Sequence, residues 1–133
     1  MKFKLADGEK VRTMRVTKAA GVVIAAGDLV ELSSGLPIVA TATAAAVAWC
    51  PAGGASADTV IEITVGNDFT LLGTMDVVFA VGYKGVAYDI NTTTQYIDQG
   101  GTTYKVLKVS PEEDAGVVGS ASNVKVRINA PIF

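Results

Sequence analysis

Histidine does not occur in this chain, and cysteine occurs once, at Cys50. The first absence removes the commonest general base near neutral pH, every Ser-His or Cys-His nucleophile and the usual zinc ligand. The second excludes an intramolecular disulfide and any thiolate metal cluster. Charge is scarce too: 18% of the 133 residues are Asp, Glu, Lys or Arg, against roughly 25% in ordinary soluble domains. Mean hydropathy is correspondingly positive, +0.40. A chain of this length builds one core, and a shortage of charge leaves apolar atoms on its surface. Such surface is usually covered by a partner or by a second copy, so an oligomer or assembly component is expected. No apolar run approaches the ~20 residues of a membrane span. The segment MKFKLADGEK is interrupted by charge before a leader's apolar region can form, so a cytoplasmic, soluble product is expected.

The charge that is present is unevenly placed. Residues 1–18 carry Lys2, Lys4, Lys10, Arg12, Arg15 and Lys18 against Asp7 and Glu9, a net of +4, and the remainder carries −6. A basic segment on an acidic body steers the chain towards an acidic surface or a second copy of itself. The plainer reading is an edge strand whose basic side chains discourage aggregation.

Strand and turn signals alternate along the whole chain. Lys2 to Leu5 and Val11 to Val16 alternate polar with apolar residues around the turn Asp7-Gly8. Further strands are expected on either side of Ala26-Gly27-Asp28, over Leu36–Val39, Thr59–Val65, one or two within Phe69–Val81, and over Val86–Ile90, Tyr104–Val109 and Asn123–Ile128. Pro37 cannot donate to a ladder, so its strand is expected either to be an edge or to begin there. Ala40–Ala48 is alanine-rich, yet its threonines and valines favour an extended path over a helix. The one helix signal is Ser110-Pro111-Glu112-Glu113, a capping box with proline at the first helical position. The expected fold class is all-β: one compact antiparallel barrel or sandwich spanning 1–133, with at most one short helical turn.

Candidate chemistry is sparse. Glu112-Glu113-Asp114 is the only dense carboxylate group, and the cap accounts for it without a cation, whose ligands alternate along a loop. Lys84 lies in a turn, but Tyr83-Lys84-Gly85 is not the frame in which carrier domains display a modified lysine. Asn91-Thr92-Thr93 matches a glycosylation pattern and is more simply a turn. The basic segment has Phe3 as its only aromatic residue, so it offers no stacking platform for nucleic acid. Tyr83, Tyr88, Tyr96 and Tyr104 are expected to pack on a sheet or at a subunit interface. Cys50, between Trp49 and Pro51, reads as a small buried hydrophobe. No catalytic residue, cofactor or metal is expected.

Several stretches together resemble the capsid decoration (cement) proteins of tailed bacteriophages. They are Ala19–Ile24 running into Ala26–Leu32, then Leu36–Ala42 with its Ala/Gly-rich loop, and Gly85–Ile128 with Tyr88-Asp89-Ile90, Tyr104–Val109 and Val124–Ile128. The resemblance covers most of residues 19–128 and is one of rhythm. It implies a β-tulip fold without enzymatic activity, a trimer on the outer capsid face of the virion, and the phage major capsid protein as partner. It also implies an extended basic arm, residues 1–18, ahead of a body over 19–133. The arm would add a strand to the shell through Lys2, Phe3, Lys4, Leu5, Lys10, Arg12, Met14 and Arg15. The rival readings are another virion β domain, such as a tail-tube, connector or fibre-base part, and a cellular β-barrel ligand-binding module.

Overall fold

The computed structural model describes residues 2–133, and these form an antiparallel all-β structure. The strands are β1 (Lys4–Leu5), β2 (Thr13–Thr17), β3 (Asp28–Ser33), β4 (Leu36–Val39), β5 (Ala48–Cys50), β6 (Val60–Thr64), β7 (Leu71–Gly73), β8 (Ala87–Ile90), β9 (Ile97–Asp98), β10 (Leu107–Val109) and β11 (Val124–Ile128). They assemble into a six-stranded sheet in the order β1-β7-β11-β10-β8-β9, a three-stranded sheet β4-β3-β5, and a ribbon β2-β6.

Period-2 patterning explains how the sheets stack. On β11, Val124, Val126 and Ile128 are buried while Lys125 and Arg127 point outward. β5 is buried at all three residues because both of its faces are covered. Trp49 joins Leu29 of β3 in the larger core against the six-stranded sheet, whereas Ala48, Cys50 and Val30 belong to a smaller core with Ile61 and Ile63 of β6. The central sheet therefore separates two cores. Pro37 lies on the edge strand β4, as its missing N–H requires.

The six-stranded sheet curls without closing into a barrel. Its last strand, β9, meets the chain just after β7 through Ile97 N–H to Thr74 O (2.8 Å) and Asp76 N–H to Ile97 O (3.1 Å). That is one bridge and not a ladder.

Three local expectations are corrected. Residues 2–18 do not form a free arm (residue 1 of the expected arm lies outside the described residues): Phe3 is wholly buried in the larger core, β1 pairs with β7, and β2 pairs with β6 over all five of its residues. A buried phenylalanine outweighs the basic residues around it in deciding where this segment goes. Ser110-Pro111-Glu112-Glu113 makes a turn, with the Glu112 N–H donating to Ser110 Oγ (3.1 Å) and the Ala115 N–H to Glu112 O (3.2 Å). A helix cannot propagate from it because the Ala115 carbonyl already accepts from Lys125 N–H of β11 (2.7 Å). The single helical turn is instead a 3₁₀ turn at Val81–Tyr83. The strand expected from Tyr104 begins only at Leu107, since Lys105 takes a left-handed conformation (φ 55°) that a strand does not accommodate.

Ala40–Ala46 is irregular and non-helical, and Ala44 is buried. Cys50 is fully buried. Burial pushes its thiol up; Gly53 N–H opposes this in smaller measure, and the nearby Asp28 carboxylate adds the least, again upward. Because thiolate is the reactive form, Cys50 is expected to resist a thiol reagent at pH 8 in the native protein and to react fully once urea unfolds it. Rapid labelling of the native chain would contradict this placement.

Candidate interaction surfaces

The eight residues expected to form a binding arm are split up by the fold. Phe3 enters the core, its N–H donating to Gly27 O (3.1 Å), and half-buried Leu5 packs against the same core. Lys2 reaches back to Asp28, Nζ to Oδ1 3.6 Å, where Oδ1 is buried and accepts no hydrogen bond among the described residues. Lys4 stays exposed on the outer face of β1. Lys10, Arg12, Met14 and Arg15 remain together, exposed on and just before β2. Lys18 ends β2 differently: it is buried, its ammonium donating to Ala19 O (2.9 Å) and Val22 O (2.6 Å), with its stem passing beneath Gly54.

The register of β2 determines what its free side offers. Val65 N–H donates to Arg12 O (2.9 Å) and Lys18 N–H to Thr59 O (2.8 Å), at the two ends of the β2–β6 ladder. In an antiparallel pair, bonded and non-bonded positions alternate. Met14 and Val16 therefore exchange bonds with β6, and the N–H and C=O of Thr13, Arg15 and Thr17 point the other way. Among the described residues no hydrogen bond occupies those six groups. Of the other sheet edges, β1 has two residues, β9 is two residues and bridged, β5 has three buried residues and β4 carries Pro37, while β6, the other strand of the ribbon, is as long as β2.

A second surface escaped the sequence reading. Val77, Val78, Val81, Val117 and Val118 are all exposed, Val117 at 70%. Their two loops are joined by Phe79 N–H to Ser120 O (2.9 Å) and Gly119 N–H to Phe79 O (3.1 Å). Phe79 plugs inward, with its ring against Gly116, so the valines on either side of it are turned out. The available signal was the dipeptides Val77-Val78, before Phe79, and Val117-Val118, between Gly116 and Gly119. Reading 69–81 as strands hid it, because strand alternation would have buried every second residue.

The other polar candidates are structural. Asp114 is exposed and bonded to Lys125, whose ammonium holds its carboxyl below the usual carboxylate range. Lys84 Nζ donates to Glu113 O (3.0 Å). Asn91 Oδ1 accepts from Thr94 N–H (3.1 Å) and Tyr96 N–H (3.3 Å), as a turn former does. Tyr83 stacks edge-on between Phe79 and Tyr88, while Tyr96 and Tyr104 are exposed. Among the described residues no three Asp, Glu or Cys side chains converge to hold a metal, and no helix is long and apolar enough to cross a membrane. The chain matches no known protein family, no curated protein and no solved structure.

Proposed function

We propose that this chain is a structural virion protein. In this reading it binds the outer surface of an icosahedral phage capsid as a trimer and stabilises the expanded shell. The observation that carries the reading is the exposed valine end, formed by Val78, Val81, Val117 and Val118 in a protein otherwise poor in surface charge. Apolar side chains presented together from two loops are what an assembly contact buries. The resemblance of residues 19–128 to decoration proteins supports the same assignment, and an all-β body suits the β-tulip fold of that family.

The stabilising principle is mass action. A protein that binds the expanded shell and no other form contributes about 2.7 kcal/mol per site at a hundredfold excess over Kd, multiplied over many sites.

The test is co-sedimentation and electron microscopy with expanded shells and with procapsids of a phage whose genome carries this gene, beside light scattering of the free protein. A trimer that decorates expanded shells alone is expected. Val78→Asp combined with Val117→Asp is expected to yield a folded monomer that no longer decorates. A wild-type protein that ignores expanded shells would overturn the proposal.

A further inference from the structure

We infer that the outer edge of β2 is a docking site for an acidic extended segment of another protein, which pairs with it as an added antiparallel strand. The inference rests on main-chain geometry and charge, and it stands whether or not the partner is a capsid protein.

Three observations carry it. First, Thr13, Arg15 and Thr17 direct three N–H and three C=O groups away from β6, and nothing among the described residues uses them. An edge of five paired residues with six free groups is a template for strand addition. Second, among the described residues no strand is hydrogen-bonded to this edge. β4 comes near β2, yet it forms no hydrogen bond with it, and Pro37 has no N–H to offer.

Third, the charge selects the occupant. Arg15 stands at the centre of the edge; Arg12 and Lys10 precede it and line, with Val65, Gly66 and Asp68, a groove of about 560 Å³ on the β6 side of the ribbon. A second copy is disfavoured, because the antiparallel register that uses all three positions sets Arg15 against Arg15, and like charges directly opposite repel. Glu62 is the cross-strand neighbour of Arg15 on β6. An acid on the incoming strand would complete a Glu62–Arg15–carboxylate row of alternating sign. Opposite Met14 and Val16, on the face towards the smaller core, the same strand would carry apolar β-branched residues.

The probe is the blocked peptide Glu-Thr-Val-Glu-Val-Thr-Glu, titrated into isotope-labelled protein and followed by amide exchange and chemical shift. In the free protein the amides of Thr13, Arg15 and Thr17 are expected to exchange fast, while those of Met14 and Val16 are protected. The peptide is expected to slow the first three. Its Lys-Thr-Val-Lys-Val-Thr-Lys counterpart is expected to bind at least roughly tenfold more weakly. A version N-methylated at alternate residues, with its donors removed, should not bind.

Arg15→Pro removes one outward N–H and the central charge while sparing the β2–β6 ladder, and is expected to weaken binding by roughly tenfold or more. Should that variant fold poorly, the N-methylated peptide on wild-type protein makes the same test. Slow exchange at Thr13, Arg15 and Thr17 before any peptide is added would overturn the open edge. Peptide shifts confined to other residues would overturn the docking site, and equal binding of the lysine peptide would overturn the acidic partner. Peptide binding by a protein that ignores capsid shells would sink the virion reading and leave this one intact.

Discussion

Phe3→Ala is expected to cost about 3–5 kcal/mol, the range for emptying a buried phenylalanine site. Against the 5–15 kcal/mol by which such domains are stable, that is a large share of the fold. Phe3 has no solvent exposure. Its ring lies so close over Gly73 of β7 that a Cβ there would come within 2.5 Å of it. The ring thus seals β1 onto β7 at the position where β7 has no side chain of its own. Urea unfolding monitored by circular dichroism checks the value, and the melting temperature should fall by roughly 10–20 °C. Deleting residues 1–16 removes Phe3, all of β1 and most of β2, and is expected to leave a chain without a cooperative transition. A truncated protein that still folds and assembles would restore the detachable arm and refute this account of the N-terminus.

Gln95→Ala is the second large effect, expected at about 3 kcal/mol or more. Gln95 is buried and holds a left-handed backbone (φ 54°). Its side-chain amide is inserted where the β3–β4 ladder would otherwise continue: Oε1 accepts from Leu29 N–H (2.9 Å), and Nε2 donates to Ala40 O (3.0 Å) and Leu29 O (2.8 Å). Leu29 O keeps a second partner in Ala40 N–H (2.9 Å). Removing the amide leaves Leu29 N–H and Ala40 C=O buried and unpaired, at about 1–3 kcal/mol each. Gln95→Glu separates the hydrogen bonds from the packing. A carboxylate can accept from Leu29 N–H but cannot donate to Ala40 O, and it must be buried. Its folded-state pKa is therefore raised above the unfolded value of about 4.3. Stability is then lowered at pH 7 and recovers as the pH falls and the acid regains a donor. Equal stability of wild type and Gln95→Glu at pH 7 would refute the role given to the amide.

Much of the strand content was legible in the sequence. Val124-Lys125-Val126-Arg127-Ile128 and Ile61-Glu62-Ile63 show their buried and solvent faces by alternation alone, and Pro37 marks an edge by chemistry that no context can change. The Ser110 cap misled because a local signal worth about a kilocalorie competes with the pairing of Ala115 to β11, which sequence spacing does not display. The basic N-terminus misled for a related reason. Six cations in eighteen residues suggest a solvated arm, yet a charge count says nothing of where one phenylalanine or the stem of Lys18 is buried.

The sequence by itself determined the all-β class and the poverty of catalytic groups, since both follow from residue types and their period. It also implied that some apolar area would stay on the surface, because a charge-poor domain of this size cannot hide all of it. Only the tertiary structure decided which apolar side chains and main-chain groups are left exposed. The free groups of Thr13, Arg15 and Thr17 exist because β2 pairs with β6 in one register and not the next, and a shift of one residue would have turned Met14 and Val16 outward instead. The valine end exists because Phe79 packs inward between two loops forty residues apart. Both depend on pairings distant in sequence, and those are set by the whole packed chain and not by any segment of it.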